Sequence, residues 1–203
     1  MLLNGWLKLS VKGELQMHLK LLLGLVLIAI LSVPQVRNNL VSTMIGQMII
    51  QMPLLTVGGY LFGVFVRDKI GNSSSSLNSY GIAGLLIALF TYIYWFLPRS
   101  IDAAVNNSSF ELVKYVTVPL LIGLPLALSW GRLSVAAKGF VWANVISMCF
   151  VMGWFYANTP VRLCNNYLSE QQIQLGMTLM GISILLLVTL FTKIFFFGVK
   201  SVH

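Results

Sequence analysis

The sequence predicts an all-α, polytopic integral membrane protein of six transmembrane helices with both termini in the cytoplasm, and three observations carry that prediction. Of 203 residues, 58% are hydrophobic and 9% charged, giving a mean hydropathy of +0.87. Such a chain has lipid as most of its solvent. That excludes a water-soluble globule, and disorder too, because the composition is the reverse of the polar, highly charged kind that cannot bury a core. The second observation is six apolar runs, each near the roughly 20 residues that a helix needs to cross the hydrocarbon. The third is that Lys and Arg are commoner on every second connection. No run alternates with a period of two, so a helical bundle is expected rather than a barrel.

Taken in order, the expected spans are Leu19 to Val36, Leu40 to Val66, Tyr80 to Leu97, Leu112 to Trp130, Gly139 to Asn158 and Ile173 to Val199. Before the first, Met1 to His18 sets Trp6, Leu7, Leu9 and Leu15 among Lys8, Lys12 and Glu14, which suits an interfacial helix. The first span is short, with 16 residues between Lys20 and Arg37, and resembles a signal peptide. No small-residue cleavage pattern follows it, so retention is expected. Lys8, Lys12, Lys20, Arg67, Lys69, Arg132, Lys138, Lys193 and Lys200 fall on one side of six spans, and Arg37, Arg99, Lys114 and Arg162 on the other. The richer side is the cytoplasmic one. Gly71 to Ser79, with four serines in a row, is expected to link two spans to four. Pro98 to Glu111 is expected as an outer loop turning at Asn106 to Ser109, with Arg99 and Asp102 as a stabilising pair.

The formal charge of +8 does not point to nucleic acid, because the basic residues stand singly at the ends of apolar runs, where they anchor helices. Cys149 and Cys164 allow no disulfide framework. With His18 and His203 at opposite ends of the chain, neither a histidine-pair metal site nor a histidine-based triad is available. No phosphate loop, nucleophile elbow or pair of membrane carboxylates is present, so nothing in the sequence suggests an enzyme, and no cofactor is expected.

One helix face does stand out. Met44, Gln47, Met48, Gln51 and Met52 fall within about 140° of arc on the second span. Thioethers on such a face would suit Cu(I), and amides bond between helices, although methionine also fills irregular contacts without any ligand. Met148, Cys149, Met152, Met177 and Met180 would extend a thioether site if their spans met the second. Pro53, Pro119 and Pro125 are expected to kink their spans. Glu170, Gln171, Gln172 and Gln174 open the sixth span and suit its N-terminus.

Three stretches together carry a family resemblance. Met44 to Leu55 (MIGQMIIQMPLL), Trp95 to Val105 (WFLPRSIDAAV) and Leu168 to Gly176 (LSEQQIQLG) resemble, in order, three blocks of the CtaG-like assembly factors of caa-type cytochrome c oxidase. The resemblance covers Leu40 to the C-terminus and marks Gln47, Gln51, Trp95, Pro98, Asp102, Phe110, Lys114, Gln171 and Gln172 as the family-equivalent positions. It implies a scaffold and a partner, an oxidase-type metalloprotein of the bacterial inner membrane. In the family one His-x-x-x-His pair aligns with Gln47 and Gln51 and a second with Phe110 and Lys114, so all four imidazoles are missing here. An amide oxygen is a poor copper ligand and a protonated lysine none, so the resemblance does not imply metal handling. The expected function is therefore non-catalytic: assembling or stabilising a membrane-embedded respiratory or copper-dependent oxidase complex, as an accessory subunit among lipid and other membrane subunits. Cu(I) handling through Met44, Met48 and Met52 is the alternative, and a secondary transporter a more distant one.

Overall fold

Lipid offers no hydrogen bonds to a backbone, and the chain answers with helices throughout: no strand occurs among the described residues. The computed structural model describes the backbone of residues 2–70, 78 and 80–198 and the side chains of 14–69, 78, 80–193 and 195. Most of the Gly71 to Ser79 linker and the extreme C-terminus, with Lys200 and His203, lie outside the described residues. Among the described residues five helices are long and apolar enough to cross a membrane: Glu14–Ser32, Gly46–Lys69, Ser108–Trp130, Val135–Asn158 and Ser169–Lys193. A sixth crossing exists if Ile82–Phe96 and Pro98–Asn106, bent by 70° at their junction, count as one span. The chain divides into two compact units, Met1–Leu133 and Ser134–His203.

In the first unit, α1 (Leu2–Ser32) runs unbroken from the amphipathic lead into the first apolar run. It stops earlier than the expected Val36. Val33 precedes a proline and turns to extended backbone, and Pro34 then opens a separate short helix, α2 (Pro34–Val41). The same rule corrects the outer loop. Leu97, before Pro98, is extended, so α4 (Ile82–Phe96) ends there and Pro98 starts α5 (Pro98–Asn106), a helix where a loop was expected. Arg99 and Asp102 thus lie three apart on α5. The expected turn at Asn106 to Ser109 is a helix start. Asn107 accepts a hydrogen bond from the Ser109 N–H at 2.9 Å and caps α6 (Ser108–Thr117), with Glu111 in the first turn.

Two π-helical segments interrupt the long spans. Gly46–Gln51 leads into α3 (Met52–Ile70), and Val118–Gly123 joins α6 to α7 (Leu124–Trp130). Each ends two residues before a proline, Pro53 and Pro125, and each closes with an N–H bonded five residues back, Met52 to Gln47 and Leu124 to Pro119. A proline ring collides with the carbonyl four residues earlier, and the wider π turn displaces that carbonyl without ending the helix. The expected kinks are thus accompanied by π turns.

Against lipid, apolar area no longer drives helices together and close backbone approach matters more. A Cβ on Gly59 would enter the backbone of Pro119, and one on Gly123 would lie 2.5 Å from both the Thr56 carbonyl oxygen and the Tyr60 nitrogen. Glycine at both positions lets α3 lie directly on the second π segment. The buried core beside this contact is Leu31, Met52, Leu55, Ala88, Trp95, Ala104, Val118 and Ile122.

The second unit is a hairpin of α8 (Val135–Asn158) and α9 (Ser169–Gly198), meeting where Gly153 and Gly176 let the backbones touch. Gln172 holds its turn together. Its amide oxygen accepts from the Leu163 N–H at 2.9 Å, and its amide nitrogen donates to the Tyr156 carbonyl at 3.2 Å. Arg162 closes the loop by donating to the Tyr167 carbonyl at 2.7 Å. Replacing Gln172 with Leu leaves buried backbone groups unsatisfied, a loss of about 1–3 kcal/mol. Limited proteolysis across residues 159–168 of the Gln172→Leu protein in bilayer nanodiscs is expected to be faster than in the native chain. Unchanged cleavage would show the turn to be held by something else.

A buried charged cluster at the first π segment

The candidate site forms where α6 faces the first π segment. The Asn107 cap fixes the start of α6 and thereby the face on which Glu111, Lys114 and Val118, at helical spacing, point inward. Opposite them the segment Gly46–Gln51 and its flanks bury Met44, Gln47, Met48, Gln51 and Met52. Lys114 is 1% exposed, Gln47 1% and Gln51 0%.

These groups are linked. The Lys114 ammonium donates to Gln51 Oε1 at 2.8 Å, Gln51 Nε2 donates to the Tyr115 hydroxyl at 2.8 Å, and that hydroxyl donates to the Leu31 carbonyl near the end of α1. All three bonds run in one direction, so each polarises the next and the row of dipoles favours positive charge on Lys114. The ammonium also lies 5.7 Å from the centre of the Tyr115 ring. Beside this chain Arg37, from α2, binds both oxygens of Glu111 through Nε and Nη2, the two-pronged arrangement that guanidinium geometry favours. Trp95, also buried, donates its indole N–H to Thr117 at 3.0 Å, tying α4 to the same helix.

Of the family-equivalent positions the structure brings together Gln51 and Lys114, in direct contact, with Gln47 on the same buried face. Trp95 lies one helix away on Thr117. Phe110 is 41% exposed and takes no part, because the α6 register that turns Glu111 and Lys114 inward turns Phe110 outward. Pro98 opens α5 and Asp102 lies on it. Gln171 and Gln172 belong to the hairpin unit, where Gln172 is the turn lock. Of the other thiol and thioether groups there, Cys149 is buried, Met180 packs beside Gly153 and Met177 is exposed.

Sequence reasoning missed Arg37, Glu111 and Tyr115. In sequence Arg37 reads only as an interfacial anchor, Glu111 as the end of a loop, and Lys114 as an anchor and a family-equivalent position with no partner assigned. The signal for two of them was present, since Glu111 and Lys114 are three apart at the head of an apolar run and share a face of any helix formed there. Among the described residues no three His, Cys, Asp or Glu side chains gather as a metal-holding group. The amide oxygen of Gln51 is already directed at a cation of the protein's own. No family model matches the chain, and no curated protein or solved structure matches it.

The network makes unequal demands on its members. Gln51→Leu strands the buried ammonium without its acceptor and the Tyr115 hydroxyl without its donor, whereas Lys114→Met removes the charge together with its need for a partner. Reversible unfolding in detergent is expected to show Gln51→Leu losing about 2–4 kcal/mol, Lys114→Met less, and the double variant less than the sum. Additive losses would mean that the 2.8 Å contact carries no coupling.

Proposed function

We propose that this is a non-catalytic protein of the bacterial inner membrane, both termini cytoplasmic, that assembles or stabilises a membrane-embedded respiratory or copper-dependent oxidase complex as a bound accessory subunit. The observation that carries the reading is the Lys114 ammonium hydrogen-bonded to Gln51 inside the bundle. At two of the four positions where the CtaG-like resemblance leads one to look for metal ligands, this chain holds an amide and an ammonium. A cation there repels a metal ion. What the resemblance leaves is scaffold and partner. Mild-detergent extraction from the native membrane, with sizing and metal analysis of one fraction, is expected to show stoichiometric oxidase subunits and no copper assignable to this chain. A monomer free of other polypeptides would sink the subunit reading.

One observation favours Cu(I) handling as a second reading: Met44, Met48 and Met52 are all buried on the face that carries Gln51. It predicts that reduced, anaerobic protein retains about one copper, and that Met48→Leu with Met52→Leu abolishes retention. The neighbouring ammonium weighs against it.

A further inference from the structure

We propose that the Lys114 ammonium is the centre of a site for one small monovalent inorganic anion, of the halide class, held inside the first unit as a structural counter-ion. The argument begins with the charges. The cluster holds Arg37, Lys114 and Glu111, two positive groups against one negative, and both oxygens of Glu111 are bound to Arg37. Among the described residues no carboxylate comes within ion-pairing distance of Lys114, whose hydrogen bond goes to a neutral amide. An ammonium has three N–H donors, and a buried cation inside a membrane span is costly unless paired. The cluster is thus short of one negative charge and has donors to receive it.

The surroundings set the class of anion. Lys114 is 1% exposed, so a lipid phosphate or a partner's carboxylate would have to part the helices to reach it. A monatomic ion needs far less room. One end of the cluster reaches the protein surface, where the Arg37 side chain is 36% exposed on α2. The inference is independent of the partner that the protein binds.

The test uses the full chain in lipid nanodiscs. Chloride or bromide is exchanged for gluconate at constant ionic strength while thermal unfolding is followed. A ligand of the folded state raises the midpoint saturably with its concentration. Chloride and bromide are expected to raise it by several degrees and gluconate not at all, and Lys114→Met is expected to lose the halide dependence altogether. Should Lys114→Met fail to fold, anomalous scattering from bromide-exchanged native protein decides, with a single bromide expected beside the Lys114 ammonium. Equal halide shifts in the native and Lys114→Met proteins overturn the proposal, as does an anomalous map with no bromide at Lys114.

Discussion

A positive charge that cannot reach water is the constraint on which the first unit depends. Lys114 lies in a segment apolar enough to cross a membrane, and its ammonium cannot snorkel to either surface because it is enclosed. It heads a hydrogen-bond chain drawn from three elements: α6 supplies Lys114 and Tyr115, the first π segment supplies Gln51, and the end of α1 supplies the Leu31 carbonyl. Three elements that lipid alone has little reason to hold together are therefore pinned by one network. The break between α1 and α2 belongs to the same arrangement. Pro34 turns the chain so that α2 carries Arg37 to Glu111, and the carboxylate three residues before Lys114 is occupied by a second cation.

The six prolines sort into two groups with different physics. Pro34, Pro98 and Pro160 follow residues in extended conformation (Val33, Leu97 and Thr159), and each marks the end of a helix. Pro53, Pro119 and Pro125 follow residues that stay helical, and all three are associated with π segments. A π turn is the alternative to ending the helix, and it suits lipid, where a broken helix would expose backbone groups that nothing can satisfy. Glycine at Gly59 and Gly123 then lets the two spans that contain π segments meet at backbone distance.

Hydropathy made the membrane class and most span positions legible, because apolar length is a property of the sequence itself. The end of the first span and the helix that follows the third differ from expectation for a local reason. The rule that sets them is the preference of the residue before proline, which an apolar window ignores. The face with Met44, Gln47, Met48, Gln51 and Met52 was legible from periodicity, and the structure buries all five. Its partners were not. Arg37 and Glu111 are 74 residues apart, and Gln51 and Lys114 63, so each charge read alone looked like an interfacial anchor or a loop residue. Periodicity reveals which side of a helix is unusual and says nothing of what lies across from it. Gln172 illustrates the converse. An amide at a helix start reads as a cap of its own helix, whereas here it bonds the loop and the preceding helix.

The distribution of polarity along the first unit also bears on transport, the most distant of the functional readings. Broken helices and a bent pair are features that transporters use, and both occur here. A route across the membrane needs polar groups or open volume along its length. The charged cluster stands at the Gln51 end of α3, while Asp68, paired with Lys20 and Arg67, stands at the other, about 26 Å away at the helical rise. Between them the buried positions of α3 are Leu55, Gly58, Gly59, Gly63 and Val64. Gly59 lies against the backbone of Pro119 and Gly63 against that of Leu124, so no side chain fits between the helices at either point. A charge network at one end and backbone-tight contacts along α3 together hold the helices of the first unit in place.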